Sequence, residues 1–181
     1  MKENHLFSLG ILAFMVVVWV GCAPTYRPFT EDLHQSYTWD EKDLKKIQFY
    51  LSNDIVLTRA LSKGESVIEG GKVRLEEGRR IEEVVFKEGT PGVLIFMPRQ
   101  NRMAISFDRG NDKYLMFGPN PKHDGRYVLL ASSWDERKGE VSYDGKTYRT
   151  SSRSAFAGLL IDLKKIQKVT VSRKKAPGRT I

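Results

Sequence analysis

The chain has 181 residues, with 30 Lys or Arg, 22 Asp or Glu and one cysteine. A single cysteine cannot form an intramolecular disulfide, and it excludes zinc fingers and cysteine-ligated iron–sulfur sites, which need several thiolates. The positive charge is local, because Lys164 to Ile181 hold seven Lys or Arg and no acid, whereas residues 22–163 hold 22 bases and 21 acids. We therefore expect a nearly neutral folded body with a basic C-terminal end.

Residues 1–21 are predicted to be a lipoprotein signal peptide. A 15-residue apolar run from Leu6 to Val20 follows a start that carries Lys2. This run is shorter than the roughly 20 residues that a helix needs to cross the hydrocarbon core. A charged start before a short apolar stretch is typical of a secretory signal peptide, and the length disfavours the alternative of an uncleaved membrane anchor.

The cysteine comes directly after this run. Gly21-Cys22 resembles the end of a bacterial lipobox, although Trp19 and Val20 depart from its usual aliphatic and small residues. The resemblance implies acylation of the Cys22 thiol, cleavage before Cys22 and acylation of the new amine. Two acyl chains hold a protein stably on a membrane where one does not. The alternative is an ordinary signal peptide followed by a free thiol.

Residues 22–37 are predicted to be a spacer that lifts the domain off the bilayer. Pro24 and Pro28 lie in this segment, and proline favours extended backbone and has no N–H to donate.

A single folded domain is predicted for residues 38–172. Thr38 and Glu41 have the Ser/Thr-x-x-Glu spacing of a capping box, so a short helix is expected through residues 43–46. The apolar residues that follow alternate with polar ones or form short β-branched and aromatic runs between turn residues. The strongest local signal is Asp144-Gly145, which predicts a two-residue hairpin turn of type I′.

About a dozen short strands at roughly 8–12-residue spacing predict an all-β or β-rich fold. We expect an antiparallel barrel or sandwich of short strands with one or two short helices.

The sequence contains no recognisable catalytic motif. His34 and His123 lack the spacing of a metal-binding pair, and neither a metal nor a cofactor is expected. The carboxylates of residues 76–83 are a candidate acid–base group. Their interleaving with Arg79 and Arg80 is more typical of solvated ion pairs on a hairpin.

Aromatic residues are the candidate binding surface. Trp134, Tyr143 and Tyr148 are predicted to contact a glycan or an envelope protein, because Trp and Tyr dominate interface energies. The alternative is that aromatic residues of this region fill the core, which leaves Trp134, in a polar loop, as the best exposed candidate.

The basic tail, residues 173–181, is a second candidate surface. Arg173, Lys174, Lys175 and Arg179 are predicted to contact anionic lipid headgroups, at about 1 kcal/mol for each base near the surface. No nucleic-acid motif accompanies these charges, so nucleic acid is not an expected partner. The alternative is a solvated chain end.

Four stretches of the mature chain, DLKKIQFYLSNDIVL, YLMFGPNP, GRYVLLAS and YDGKTY, resemble uncharacterised envelope lipoproteins of Gram-negative bacteria. The resemblance implies the periplasmic side of the outer membrane, because no acidic run follows Cys22. We therefore expect a non-enzymatic binding or structural component of the envelope that is attached to the membrane through Cys22. The alternative is an envelope hydrolase whose site is assembled from scattered Asp, Glu and Ser residues.

Overall fold

The computed structural model describes residues 25–169, except residues 77, 111, 136 and 137. The helices within this part are α1 (Glu31–Ser36), α2 (Glu41–Leu44) and α3 (Leu163–Val169), with 3-10 helices at Pro121–His123 and Ser154–Phe156. The strands are β1 (Tyr26–Pro28), β2 (Phe49–Leu51), β3 (Ile55–Ala60), β4 (Lys72–Glu76), β5 (Arg79–Phe86), β6 (Pro91–Arg99), β7 (Arg102–Ser106), β8 (Leu115–Asn120), β9 (Arg126–Leu129), β10 (Ser133–Asp135), β11 (Lys138–Tyr143), β12 (Lys146–Ser151) and β13 (Leu159–Asp162). No helix within the described ranges is both long enough and apolar enough to cross a bilayer.

The strands form two antiparallel sheets, which confirms the predicted β-rich fold. One sheet has the order β1-β13-β2-β6-β7-β8-β9, and the other has the order β10-β11-β12-β3-β5-β4. Neither sheet is a closed barrel, so the sandwich is the architecture that the chain adopts. The described residues contain three α helices, one more than the expected upper limit.

The predicted hairpin at Asp144-Gly145 is confirmed. Asp144 and Gly145 have φ angles of 50° and 67°, and they connect the paired residues Tyr143 of β11 and Lys146 of β12. Positive φ at both turn positions gives the backbone twist that matches two antiparallel strands. The Asp144 N–H also donates a hydrogen bond to the Asp112 carbonyl at 3.1 Å, so a neighbouring loop supports the turn that the local sequence predicts.

The short helix is present, but its cap is not the predicted Thr38. Asp40 caps α2, and its carboxylate accepts a hydrogen bond from the Asp43 N–H at 2.9 Å. Thr38 has a φ of 49°, far from the extended backbone that an N-cap residue adopts. The helix therefore begins at Glu41, two residues before the predicted start.

The prediction of a spacer over residues 22–37 is wrong from Tyr26 onward. β1 pairs with β13, and Thr30 caps α1 by accepting a hydrogen bond from the Leu33 N–H at 3.2 Å. Proline is compatible with β1 because β1 is an edge strand, in which the missing N–H of Pro28 breaks no ladder. The domain therefore begins about a dozen residues before the predicted Thr38, and residues 22–24 lie outside the described part.

The segment after β1 links the two edges of the seven-stranded sheet. Phe29 donates its N–H to the carbonyl of Leu159 at 2.8 Å and accepts a hydrogen bond from the Tyr127 N–H at 3.0 Å. Isolated bridges join Thr30 to Arg126 and Val128 to Gly158. These contacts curve the sheet so that β9 approaches the opposite edge.

Phe29 is also the centre of an aromatic cluster in the core. Its fully buried ring lies 4.7 Å from the ring of Tyr127 and 5.3 Å from that of Phe49, measured between centroids. The rings of His34 and Trp39 lie within 5.8 Å and 6.3 Å. One side chain thus connects β1, α1, β2 and β9.

We expect Phe29→Ala to lower the free energy of unfolding by about 3–5 kcal/mol, because it leaves a cavity among four rings. Urea denaturation of the mature-length chain measures this loss. Phe156→Ala is the matched control, since the Phe156 side chain is 57% exposed. The control should cost less than about 1 kcal/mol. Equal losses from the two substitutions would contradict the central position of Phe29.

Candidate binding groove

An apolar groove with two exposed aromatic rings lies beside β10. Trp134 is 47% exposed and Phe156 is 57% exposed, and both line a cavity of about 370 Å³. The other lining residues are mostly apolar and come from β8, β9 and the segments that follow β9 and β12: Pro119, Asn120, Pro121, Val128, Leu129, Leu130, Ala131, Ser152 and Ala155. We call this cavity the Trp134–Phe156 groove.

A glycine on the neighbouring strand leaves space for the side chain of Trp134. Trp134 pairs with Gly139 across the β10–β11 hairpin, and a Cβ atom added at Gly139 would lie 3.0 Å from both Cη2 and Cζ3 of the indole. The same Cβ would lie 2.9 Å from the Cβ of Ala131. The absence of a side chain at position 139 therefore leaves room for the indole to lie against the strand.

Phe156 is held on the other side by the 3-10 helix Ser154–Phe156. Its ring makes an edge contact with the imidazole of His123, with 5.1 Å between centroids. His123 is exposed, and it lies in the 3-10 helix Pro121–His123. The predicted loop histidine thus supports the ring of Phe156.

β10, which carries Trp134, is an edge strand of the six-stranded sheet. β10 pairs only with β11 in the described sheet, so the backbone N–H and C=O groups of its other edge have no strand partner there. An unpaired edge offers main-chain hydrogen bonds to an added strand, while an apolar groove accepts alternate side chains. The geometry therefore suits an extended polypeptide with apolar or aromatic side chains.

Trp134 is exposed on the surface, as the sequence predicted, but Tyr143 and Tyr148 are not. Tyr143 is 3% exposed and Tyr148 is fully buried, so neither side chain is available to a partner. Burial raises the pKa of Tyr148 to about 12. Tyr148 pairs with Val141 across the hairpin and so shares its core-facing side. The Asp144-Gly145 turn fixes the register of this hairpin, and that register is the signal that distinguishes the buried Tyr143 and Tyr148 from the exposed Trp134.

The predicted surface ion pairs of residues 76–83 include one carboxylate that is buried. Glu82 is fully buried, and its Oε2 accepts hydrogen bonds from Arg59 Nε at 2.6 Å and from the Tyr148 hydroxyl at 3.1 Å. Its Oε1 accepts the Ile68 N–H. Arg59 also pairs with Glu65. This network holds the loop before β4 against the sheet, and a carboxylate with both oxygens occupied does not serve as a free acid or base.

A second cavity, of about 630 Å³, lies between the helical segment and the β6–β7 hairpin and contains His34, Asp40 and Glu41. Each of these side chains is engaged. The ring nitrogens of His34 lie 2.8 Å from the Tyr127 hydroxyl and 3.2 Å from the Trp39 carbonyl oxygen. Asp40 caps α2, and the hydrogen bond from Lys45 lowers the pKa of Glu41. Both carboxylates that line the cavity thus accept hydrogen bonds from the body itself.

The remaining predicted site residues lie outside the described part of the chain. These are Cys22 and the tail bases Arg173, Lys174, Lys175 and Arg179. Within the described ranges, no cluster of three or more His, Cys, Asp or Glu side chains is placed to hold a metal ion. Comparisons of the chain with protein-family models, with curated proteins and with solved structures found no match.

The different burial of the three predicted aromatic contacts gives a stability test. We expect Tyr143→Ala and Tyr148→Ala each to lower the free energy of unfolding by about 3–5 kcal/mol, because each removes a core ring. Trp134→Ala should cost less than about 1.5 kcal/mol, since half of its surface is already in water. Urea denaturation compares the three. A loss for Trp134→Ala as large as those for the tyrosines would mean that this indole is a core residue.

Proposed function

We propose that this protein is a lipid-anchored, non-enzymatic binding component of the periplasm-facing outer membrane. It is attached through acylated Cys22 and binds an extended segment of an envelope protein in the Trp134–Phe156 groove. The observation that carries the binding function is the pair of exposed, separately supported rings beside an open strand edge.

The groove favours a polypeptide over a glycan. Sugar-binding sites combine an aromatic platform with several polar side chains, because each hydroxyl that loses water needs a hydrogen-bond partner. Asn120 and Ser152 are the polar side chains that line this groove, and the Asn120 Oδ1 already accepts the Lys122 N–H at 3.0 Å. An apolar or aromatic peptide side chain needs no such partners, and its backbone finds them along β10.

The hydrolase alternative receives less support from the geometry. Its requirement is a cleft with converging, unengaged carboxyl groups. The acidic residues of the 630 Å³ cavity and the buried Glu82 are each occupied by hydrogen bonds within the body. Binding therefore explains the exposed features of this surface better than catalysis does.

Acylation of Cys22 is tested by metabolic labelling with a clickable palmitate analogue. The wild-type chain should carry label and fractionate with the outer membrane, whereas Cys22→Ala should carry none. Trp134→Ala is the control that alters the groove and should keep the label. Label on Cys22→Ala would contradict the lipid anchor.

The groove is tested by photo-crosslinking in intact cells. A photoreactive residue at Ser152 should give a protein adduct of discrete mass, and adding Trp134→Ala to the same chain should reduce its yield about tenfold or more, as expected for an interface anchor. The same probe at Lys63, which is exposed and outside the groove, is the matched control and should not give this adduct.

Adducts that are identical from Ser152 and Lys63, or insensitive to Trp134→Ala, would contradict a partner protein in the groove. Cosedimentation with purified peptidoglycan that depends on Trp134, without a protein adduct, would assign the groove to a glycan instead.

A further inference from the structure

The distance between the anchor and the body limits how the domain can sit on a membrane. Three residues, Ala23, Pro24 and Thr25, separate Cys22 from the first strand residue, Tyr26. A chain of this length spans at most about 14 Å from the Cα of Cys22 to that of Tyr26. A body of this size is roughly 35–40 Å across. If Cys22 is acylated, which is the proposed function on which this inference rests, the surface around Tyr26 therefore lies next to the bilayer.

That surface presents a pair of tyrosines covered by a lysine. The rings of Tyr26 and Tyr50 lie 4.6 Å apart between centroids, and Tyr26 is 38% exposed. Lys165 of α3 donates a hydrogen bond to the Tyr50 hydroxyl at 3.3 Å, and its Nζ lies 5.8 Å from the centre of that ring. Tyrosine is enriched at membrane–water interfaces because its ring is apolar and its hydroxyl is polar.

The charges on the same surface are basic. Lys164 and Lys165 are exposed, and neither takes part in an ion pair with another described residue. Arg27 is also exposed, but it pairs with the core residue Ile161 and therefore lies on the face of β1 opposite Tyr26. The neighbouring acid, Asp162, pairs with Tyr26 across the β1–β13 ladder but is only 6% exposed. Its Oδ1 accepts the Lys164 N–H at 3.1 Å, so this carboxylate is directed into the start of α3.

We propose that Tyr26, Tyr50, Lys164 and Lys165 form a surface that binds the anionic headgroups of the membrane in which Cys22 is anchored. The two exposed bases attract a negative surface, and the two rings enter its interfacial region. The lipid restricts the domain to the membrane plane, and this surface fixes which side faces the bilayer. The basic tail continues from α3 in the sequence and adds charge of the same sign.

The test uses the chain from residue 22 with Cys22→Ser, so that no acyl chain contributes to binding. Flotation measures its partition onto vesicles of phosphatidylcholine and phosphatidylglycerol in equal parts, and onto phosphatidylcholine alone. The surface variant is Lys164→Gln and Lys165→Gln. The matched control is Lys63→Gln and Lys122→Gln, which removes the same charge from exposed positions elsewhere. The tail is intact in both variants, so its contribution cancels.

We expect the surface variant to bind anionic vesicles at least tenfold more weakly than the matched control, given about fivefold for each base that contacts the membrane. Neither variant should differ on phosphatidylcholine alone. Equal binding of the two variants to anionic vesicles would overturn the proposal. A failure here is distinguishable from a failure of the lipid anchor, because the unacylated chain tests the surface and palmitate labelling tests Cys22.

A second measurement is independent of charge substitution. The Cys22→Ser chain has no cysteine, so a polarity-sensitive fluorophore can be placed by Thr25→Cys or by Lys63→Cys. Anionic vesicles should shift the emission of the probe at position 25 to shorter wavelength and leave that at position 63 unchanged. Equal shifts at both positions, or none at position 25, would overturn the assigned orientation.

Discussion

The burial of Phe29 is the interaction on which the rest of the structure depends. Its ring fills the centre of a cluster that includes Phe49 and Tyr127, and its backbone bonds to Leu159 and Tyr127 on the two sides of the closing sheet. Burying a phenylalanine fully contributes about 1.5–3 kcal/mol, which together with these two backbone hydrogen bonds offsets much of the cost of about 1–2 kcal/mol per residue for ordering the edge strand. The N-terminal segment is therefore held to the body rather than left as a tether, and three residues separate Cys22 from β1.

The same constraint connects the proposed anchor with the proposed binding function. With a long spacer the domain could tumble above the membrane, whereas a three-residue link restricts its orientation. In the Trp134–Phe156 groove, Gly139 leaves room for the indole and His123 contacts the ring of Phe156. A groove formed in this way before binding costs less ordering when a partner binds. A fixed orientation and a preformed groove lower the entropic cost of binding in the same way, since each removes freedom before the partner arrives.

Local chemistry explains which features could be predicted from the sequence. The Asp144-Gly145 turn and the number of strands follow from turn residues and from short β-branched runs, which act over a few neighbouring residues. The sequence around Pro28 and Phe29 predicted a spacer because no local pattern marks it as folded. Pro28 belongs to a strand and Phe29 to the core only through contacts with β13 and β9, about a hundred residues later in the chain. Tyr148 and Trp134 are equally aromatic in sequence, and the pairing register alone places one in the core and the other in the groove. The burial of Glu82 could not be predicted for the same reason, since its partner Arg59 comes from another strand.

Hydrogen–deuterium exchange of the chain from residue 22, followed by mass spectrometry, tests most directly whether the N-terminal segment belongs to the body. The account predicts that the amides of Phe29 and of Tyr127, which are bonded to Leu159 and Phe29, exchange as slowly as those of the central strands. Peptides covering residues 25–37 should therefore be protected together with those covering β9. Fast, unstructured exchange over residues 25–37, with protection of the rest of the body, would contradict the account and restore a flexible tether between the membrane and the domain.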